Sequence, residues 1–188
     1  MDERIEKVAA ALRARDFDVT CCATAAEAAA RVMAVAAEAA TIGQGGSMTI
    51  KALGVVEALA AQGKAPERKS AVDLFLLSAN AITSDGRIVN IDGNGNRVAA
   101  SINGPKKVLY VVGRNKLVDG GLDAAIARIK QCACPPNARR LGKTTPCATG
   151  ACADCNEPGR MCRVTAIFDR KPTGIAAEVV LVDEELGY

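Results

Sequence analysis

Apolar positions recur along this chain with two periods, one helical and one extended. Ile5, Val8, Ala9 and Leu12 share one helix face, which predicts an amphipathic helix over residues 2–15. Phe17 to Cys22 is a short β-prone run. The adjacent Cys21 and Cys22 are expected on opposite faces of that strand, as small hydrophobes. Thr24 and Glu27 carry a capping signature, in which the hydroxyl satisfies an orphan N–H and the carboxylate reaches back. An alanine-rich helix should follow to about Ala37. A short strand then leads into Gly43-Gln-Gly-Gly-Ser-Met-Thr49, with another helix to about Gln62. Leu74–Leu77 is continuously apolar, the pattern of a strand buried on both faces of a parallel sheet. Arg87–Ile91 and Val108–Val112 predict two more strands, and residues 122–130 a helix. Arg163–Phe168 and Ala177–Val182 predict closing strands.

Strands alternating with helices define an α/β fold, a mainly parallel sheet with helices on both faces. No internal repeat or low-complexity linker divides the chain. Residues 1–188 are therefore expected to form one domain, with 132–162 an irregular, cysteine-rich appendage.

Composition narrows the chemistry. A net charge of +3, three Phe, two Tyr and no Trp argue against a nucleic-acid partner, which needs clustered cations or stacking platforms. Met1 to Arg15 is charged and amphipathic rather than signal-like, and the alanine-rich stretch from Ala23 to Ala40 carries Glu27, Arg31 and Glu38. The expectation is a cytoplasmic protein with no membrane span. Eight cysteines in such a setting point to metal binding or redox chemistry rather than disulfides. The complete absence of His removes Ser-His-Asp triads, His general bases and mixed Cys/His zinc sites.

Three constellations could carry function. Gly43, Gly45, Gly46, Ser47 and Thr49 lie at a strand-to-helix junction, where backbone N–H groups and two hydroxyls can meet a small anionic ligand. The loop is neither a Walker loop, lacking Gly-Lys-Ser/Thr, nor the dinucleotide fingerprint, since Met48 stands where the third glycine should be. The alternative is a tight turn with a Ser N-cap. Asn80, Asp85, Asn90, Asp92 and Asn96 follow a buried strand, at the carboxyl edge where open α/β sheets bind ligands. Asp92-x-Asn94-x-Asn96 is not a calcium loop, because Arg97 and Asn103 occupy the positions that need Gly and Glu. The alternative is a polar hairpin. Cys147, Cys152, Cys155 and Cys162 are spaced to converge on one soft metal, an iron–sulfur cluster or zinc, with Cys132 and Cys134 just before them. Unligated thiols or disulfides are the alternative. Lys106, Lys107 and Lys116 flank the strand at 108–112 and read as solvated surface lysines able to offset an anion's charge.

The runs Ser78-Ala-Asn-Ala-Ile-Thr, Asp85-Gly, Asn90-Ile-Asp-Gly, Gly95-Asn-Arg, Gly104-Pro-Lys-Lys and Val112-Gly-Arg-Asn-Lys116 resemble the LUD-domain family, named for lactate utilization. So do Asn137-Ala-Arg-Arg-Leu141, the Pro146-Cys147 cluster, the Gly45-Gly-Ser-x-Thr loop and Glu185-Leu-Gly-Tyr188. The resemblance covers nearly the whole chain. It implies the sheet shared by ribose-5-phosphate isomerase, glucosamine-6-phosphate deaminase and CoA transferases. It also implies a ligand lined by Gly45, Gly46, Ser47 and Thr49, with Asn80, Asp85, Asn90, Asp92 and Asn96 opposite. The isomerases' catalytic Asp and Lys motifs have no counterpart here, so no catalytic residue is carried over. The expected function is a small-anion-binding accessory subunit of a lactate-utilization-type oxidoreductase system, with other subunits as partners and an iron–sulfur cluster or zinc as cofactor. The alternatives are an isomerase or CoA-transferase-like enzyme with Asp85 or Asp92 as general base, and a ligand sensor with a structural zinc.

Overall fold

The computed structural model describes residues 2–188. Asp2 caps α1 (Glu3–Arg13) by accepting the Arg4 N–H, and the helix buries Ile5, Val8, Ala9 and Leu12, the face marked by its periodicity. After β1 (Asp18–Cys22), Thr24 caps α2 (Ala25–Ala37). Glu27 reaches back to the Ala23 N–H at 2.8 Å, one residue earlier than a standard box. The chain then forms β2 (Ile42–Gln44), α3 (Met48–Ala52) and α4 (Val55–Ala61). One helix was expected over α3 and α4. Gly54, at φ 66°, adopts the left-handed conformation and divides them. Next come β3 (Leu74–Leu77), the two-residue β4 (Ala81–Ile82), β5 (Ile88–Asp92), α5 (Asn96–Ile102) and β6 (Lys107–Gly113).

From α6 (Leu122–Arg128) the chain stays helical through a widened turn at 129–133 into α7 (Cys134–Arg140). This corrects the expectation of an irregular segment from residue 132. Pro135 and Pro136 follow directly on the widened turn, so their missing N–H groups fall where the helix changes its hydrogen-bond register. The short α8 (Pro146–Thr149), then β7 (Val164–Phe168) and β8 (Ala176–Val182), complete the chain.

Among the described residues, five parallel strands form one sheet in the order β1-β8-β6-β3-β2. Period-two alternation assigns its faces. Phe75, Leu77, Val108, Tyr110, Val112, Val179 and Leu181 pack towards α1, and Leu74, Leu76, Leu109, Val111, Val180 and Val182 pack towards α2, α3 and α4. Cys22 lies in the second of these clusters and Cys21 packs against the first, the opposite-face arrangement expected of them. The run at 87–91 does not join this sheet. Strand β5 pairs antiparallel with β4 and β7 in a separate three-stranded sheet, which packs with α6 around Ala81, Val89, Ala125 and Ile129. No helix among the described residues is long and apolar enough to cross a membrane.

Glu178, on β8 between β1 and β6, is the buried carboxylate of the main sheet. Arg31 donates to it from α2 at 2.7 and 2.9 Å, Lys107 from β6 at 2.8 Å and Thr20 from β1 at 3.0 Å. Burial alone would raise its pKa, but these hydrogen bonds outweigh burial and hold it at about 2, below its ordinary 4.5. Glu178→Gln should therefore lower the urea-unfolding free energy by about 1–3 kcal/mol at neutral pH, moderated because Arg31 and Lys107 keep access to water. A depressed folded-state value means that the contribution is complete above about 4.5 and is lost as pH falls through about 2. Unfolding curves of parent and variant should converge at that acid end.

Candidate functional site

Because β2, β3 and β6 are adjacent and parallel, the segments leaving them meet at one carboxyl edge. The Gly45 N–H bonds to the Leu76 carbonyl at 3.1 Å, tying the glycine loop to β3. A Cβ at Gly45 would meet the Arg97 side chain at 2.8 Å, so this glycine is required by packing. A Cβ at Gly46 would meet no heavy atom within 4 Å. Ser47 caps α3 through the Ile50 N–H at 3.2 Å, which commits its hydroxyl oxygen locally.

The segment after β6 places Lys116 through a chain of local contacts. Gly113 lies against the C-terminal run, and its Cβ would fall 2.6 Å from the Leu186 nitrogen. Asn115 accepts from the Leu186 N–H at 3.2 Å and donates to the Gly187 carbonyl at 3.1 Å. Lys116 then turns inward, and only 4% of it remains exposed. Its Nζ donates to Thr49 Oγ1 at 2.5 Å and to Ser78 Oγ at 2.9 Å. The amine pKa falls from its ordinary 10.5 to about 7, chiefly through burial and then through the cations Arg128 and Arg97.

Arg97, on α5, is the second buried cation. Its guanidinium donates to the Ser78 and Ile91 carbonyls and to the Asn90 and Asn80 side-chain oxygens at 2.9–3.2 Å. Only Asp92, with its Oδ2 4.0 Å from Arg97 Nε, offers opposing charge. That carboxylate is already committed to the Gly93, Arg97 and Val98 N–H groups.

These residues open onto a cleft of about 590 Å³. Lys51, Arg68, Arg97, Lys116 and Arg140 contribute positive charge to its wall, against Glu57 and Asp92. An anion is the complementary occupant.

Of the expected ligand residues, Gly45, Gly46, Ser47, Asn80, Asp92 and Asn96 line this cleft. Four others do not. Gly43 lies within β2, where a Cβ would fall 2.3 Å from the Lys69 carbonyl oxygen, so tight strand packing explains it. Thr49 is wholly buried behind Lys116 and donates to the Leu186 carbonyl at 3.0 Å. Asn90 is buried in β5, where its Oδ1 accepts from the Asn80 N–H and from Arg97. Asp85 lies in the turn before β5, bonded to Thr83 at 2.5 Å and paired with Arg15 and Arg87. Lys106 and Lys107 are paired with Asp73 and Glu178, whereas Lys116 overturns its surface reading. The signal that marks Lys116 is its place just past a strand buried on both faces.

The cysteine segment borders the same cleft through Cys134 and Cys162. Burial pushes the Cys134 thiol up to about 12, and the neighbouring Cys162, Cys147 and Cys152 push it the same way. Arg160 braces the segment by donating to the Cys162 and Cys155 carbonyls and to Asp154. All eight cysteines are free thiols. Thiolates suit soft metals, yet among the described residues no three Cys, Asp or Glu side chains are arranged to hold one ion.

A parallel α/β sheet with a cationic cleft at its carboxyl edge is the class these features define. The sequence model of the LUD domain family matches residues 5–71 and 60–182, and the chain belongs to that family. A crystal structure of a DUF162 family protein from Deinococcus radiodurans shares the fold, with a TM-score of 0.56 over 96% of each chain at 13% identity. No curated protein matches the chain.

Lys116 should be destabilising where it stands. Between about 7 and 10.5 the unfolded chain binds the proton that the folded chain releases, so stability rises with pH across that window. Lys116→Met should raise the unfolding free energy at pH 7 by about 1–3 kcal/mol, and the gain should shrink as pH approaches 10.5. Urea denaturation at several pH values measures both.

Proposed function

We propose that this chain is the small-anion-binding accessory subunit of a lactate-utilization-type oxidoreductase system. The observation that carries the reading is the pair of buried cations, Lys116 and Arg97, on a cleft where the carboxylate nearest Arg97, the partly buried Asp92, is committed to backbone N–H groups. Buried charge without a matching countercharge is expensive, and a bound anion relieves it. Membership of a family associated with lactate utilization supports a small carboxylate as that anion. The isomerase alternative loses its general bases, because Asp85 lies in an ion-paired turn and Asp92 caps α5.

Titration calorimetry with L-lactate, propionate and inorganic phosphate tests this reading. At least one of them should bind saturably, and Lys116→Met should weaken it by about tenfold or more, the loss of one charge-assisted hydrogen bond. Gly46→Val should abolish binding while leaving the unfolding midpoint unchanged, since space is open at that position. Because only the ammonium attracts an anion, affinity should fall as pH rises through about 7. No saturable heat with any of the three sinks the proposal.

The gathering of Cys162, Cys147 and Cys152 around Cys134 supports a second reading, a soft-metal centre on Cys147, Cys152, Cys155 and Cys162. Residues 150–163 bury little apolar surface, so metal would be needed to order the thiols into ligand geometry. Anaerobic reconstitution with iron and sulfide, or with zinc, should load the parent and fail in Cys152→Ser and Cys155→Ser. Equal uptake in all three proteins would remove the centre.

A further inference from the structure

Hydrogen-bond accounting around Lys116 points beyond anion binding. Thr49 commits its hydroxyl proton to the Leu186 carbonyl at 3.0 Å, and Ser78 commits its own to the Ala79 carbonyl at 3.2 Å. Both oxygens can therefore only accept from Lys116 Nζ, which uses two of its N–H groups on them. The remaining position on the nitrogen is open to the cleft that Lys116 lines. In the ammonium form it is a third N–H, and in the neutral form it is the lone pair. The charged groups facing it are Arg97 from α5 and Arg128 from α6, both cations, and no carboxylate is bonded to it. Arg128 is held away by the Asn115 and Asn80 carbonyls at 2.8 and 2.7 Å. No carboxylate in this arrangement holds the proton on the amine, and two fixed hydroxyls leave its remaining position to the cleft.

We propose that Lys116 is a nucleophilic amine that condenses with the carbonyl carbon of a small anionic ketone or aldehyde held in the cleft. This rests on the anion-binding reading and deepens it by naming the substrate class. The nitrogen lone pair adds to the carbonyl carbon, and the carbonyl π pair moves to oxygen. Proton transfer from nitrogen to that oxygen gives a carbinolamine. A proton taken up from solvent lets the oxygen leave as water while the nitrogen lone pair forms the C=N bond, which yields a protonated imine with no oxidant or reductant consumed. The imine's positive charge replaces the ammonium's and faces the substrate's own anionic group. An amine near pH 7 supplies the neutral nucleophile to about half the molecules at neutral pH. A surface lysine would be almost wholly protonated there.

Borohydride trapping tests it. The full-length protein is incubated with pyruvate, with dihydroxyacetone phosphate or with propionate, reduced, and examined by intact mass and peptide mapping. Calorimetry on the same samples reports binding alone. The expected result is one reduced adduct on Lys116 with a keto compound and none with propionate. Pyruvate or dihydroxyacetone phosphate reacting faster identifies a carboxylate or a phosphate as the anionic group. Trapping should speed up as pH rises through about 7, opposite to the trend for anion affinity. Lys116→Arg, which keeps a cation and loses the nucleophile, should bind propionate and give no adduct. If keto compounds and propionate bind but no adduct forms at Lys116, the amine proposal is overturned and the anion site stands. If nothing binds, both fail together. Adducts scattered over exposed lysines such as Lys51 also overturn it.

Discussion

Bringing an amine into a protein interior costs free energy unless a countercharge accompanies it, and at Lys116 the nearest charges are cations. Most of the local architecture can be read as the support this placement requires. Two hydroxyls, from α3 and from the end of β3, accept its protons. Each hydroxyl is oriented by a backbone carbonyl that takes its own proton. Without those carbonyls the hydroxyls could rotate and the amine would lose its fixed direction. The C-terminal run at 183–187 supplies one of the carbonyls, and is itself locked by Asn115, the residue immediately before Lys116. Sequence neighbours thus build both the charged group and the brace behind it.

The opposite wall follows a different rule. Arg97 donates to neutral carbonyl oxygens and has Asp92 4.0 Å away, so its hydrogen bonds are satisfied while its charge is only partly offset. Such a group cannot easily turn away, because releasing it would remove a donor from four oxygens at once, those of the Ser78 and Ile91 carbonyls and of the Asn80 and Asn90 side chains. It therefore contributes a fixed positive potential rather than a mobile contact. Gly45 is the steric partner of this arrangement, since any side chain there would displace the arginine stem. The glycine loop and the Asn/Asp-rich loops are one packed unit, and this is why polar residues so dense beside a buried strand are tolerated.

This division explains what was legible in the sequence. Strand and helix positions followed from period, because β3, β6 and β8 are buried on both faces and β5 is bounded by turn residues. Membership of β5 and β7 in a second, antiparallel sheet was not legible, since a short apolar run carries no record of its partner. The cleft's location came from glycines and from Asn and Asp residues after a buried strand. Thr49 and Asn90 lie behind the cleft rather than on it, since a polar side chain that braces a site has the same local signature as one that lines it, and Asp85 belongs to an ion-paired turn before β5. Lys116 was missed for the reverse reason. Lysine is rarely buried, so its surroundings mark it only once the fold brings Thr49, Ser78 and Arg128 around it.

The chemistry open to the cleft then follows by elimination among its titratable groups. No histidine exists in the chain. The Asp92 carboxylate accepts from three backbone N–H groups, which fix it against the start of α5. The Cys134 thiol, pushed up to about 12, stays protonated and unreactive at neutral pH. Lys116 combines a fixed orientation, contact with the cleft and a pKa lowered to about 7. A group with those three properties serves an anion poorly as a permanent countercharge, because its charge is half lost at the pH where it must work. Arg97 already provides the permanent charge. In the proposed anion site, two cations that differ in this way would divide the labour, Arg97 holding the anionic end of a ligand and Lys116 free to gain or lose a proton beside it.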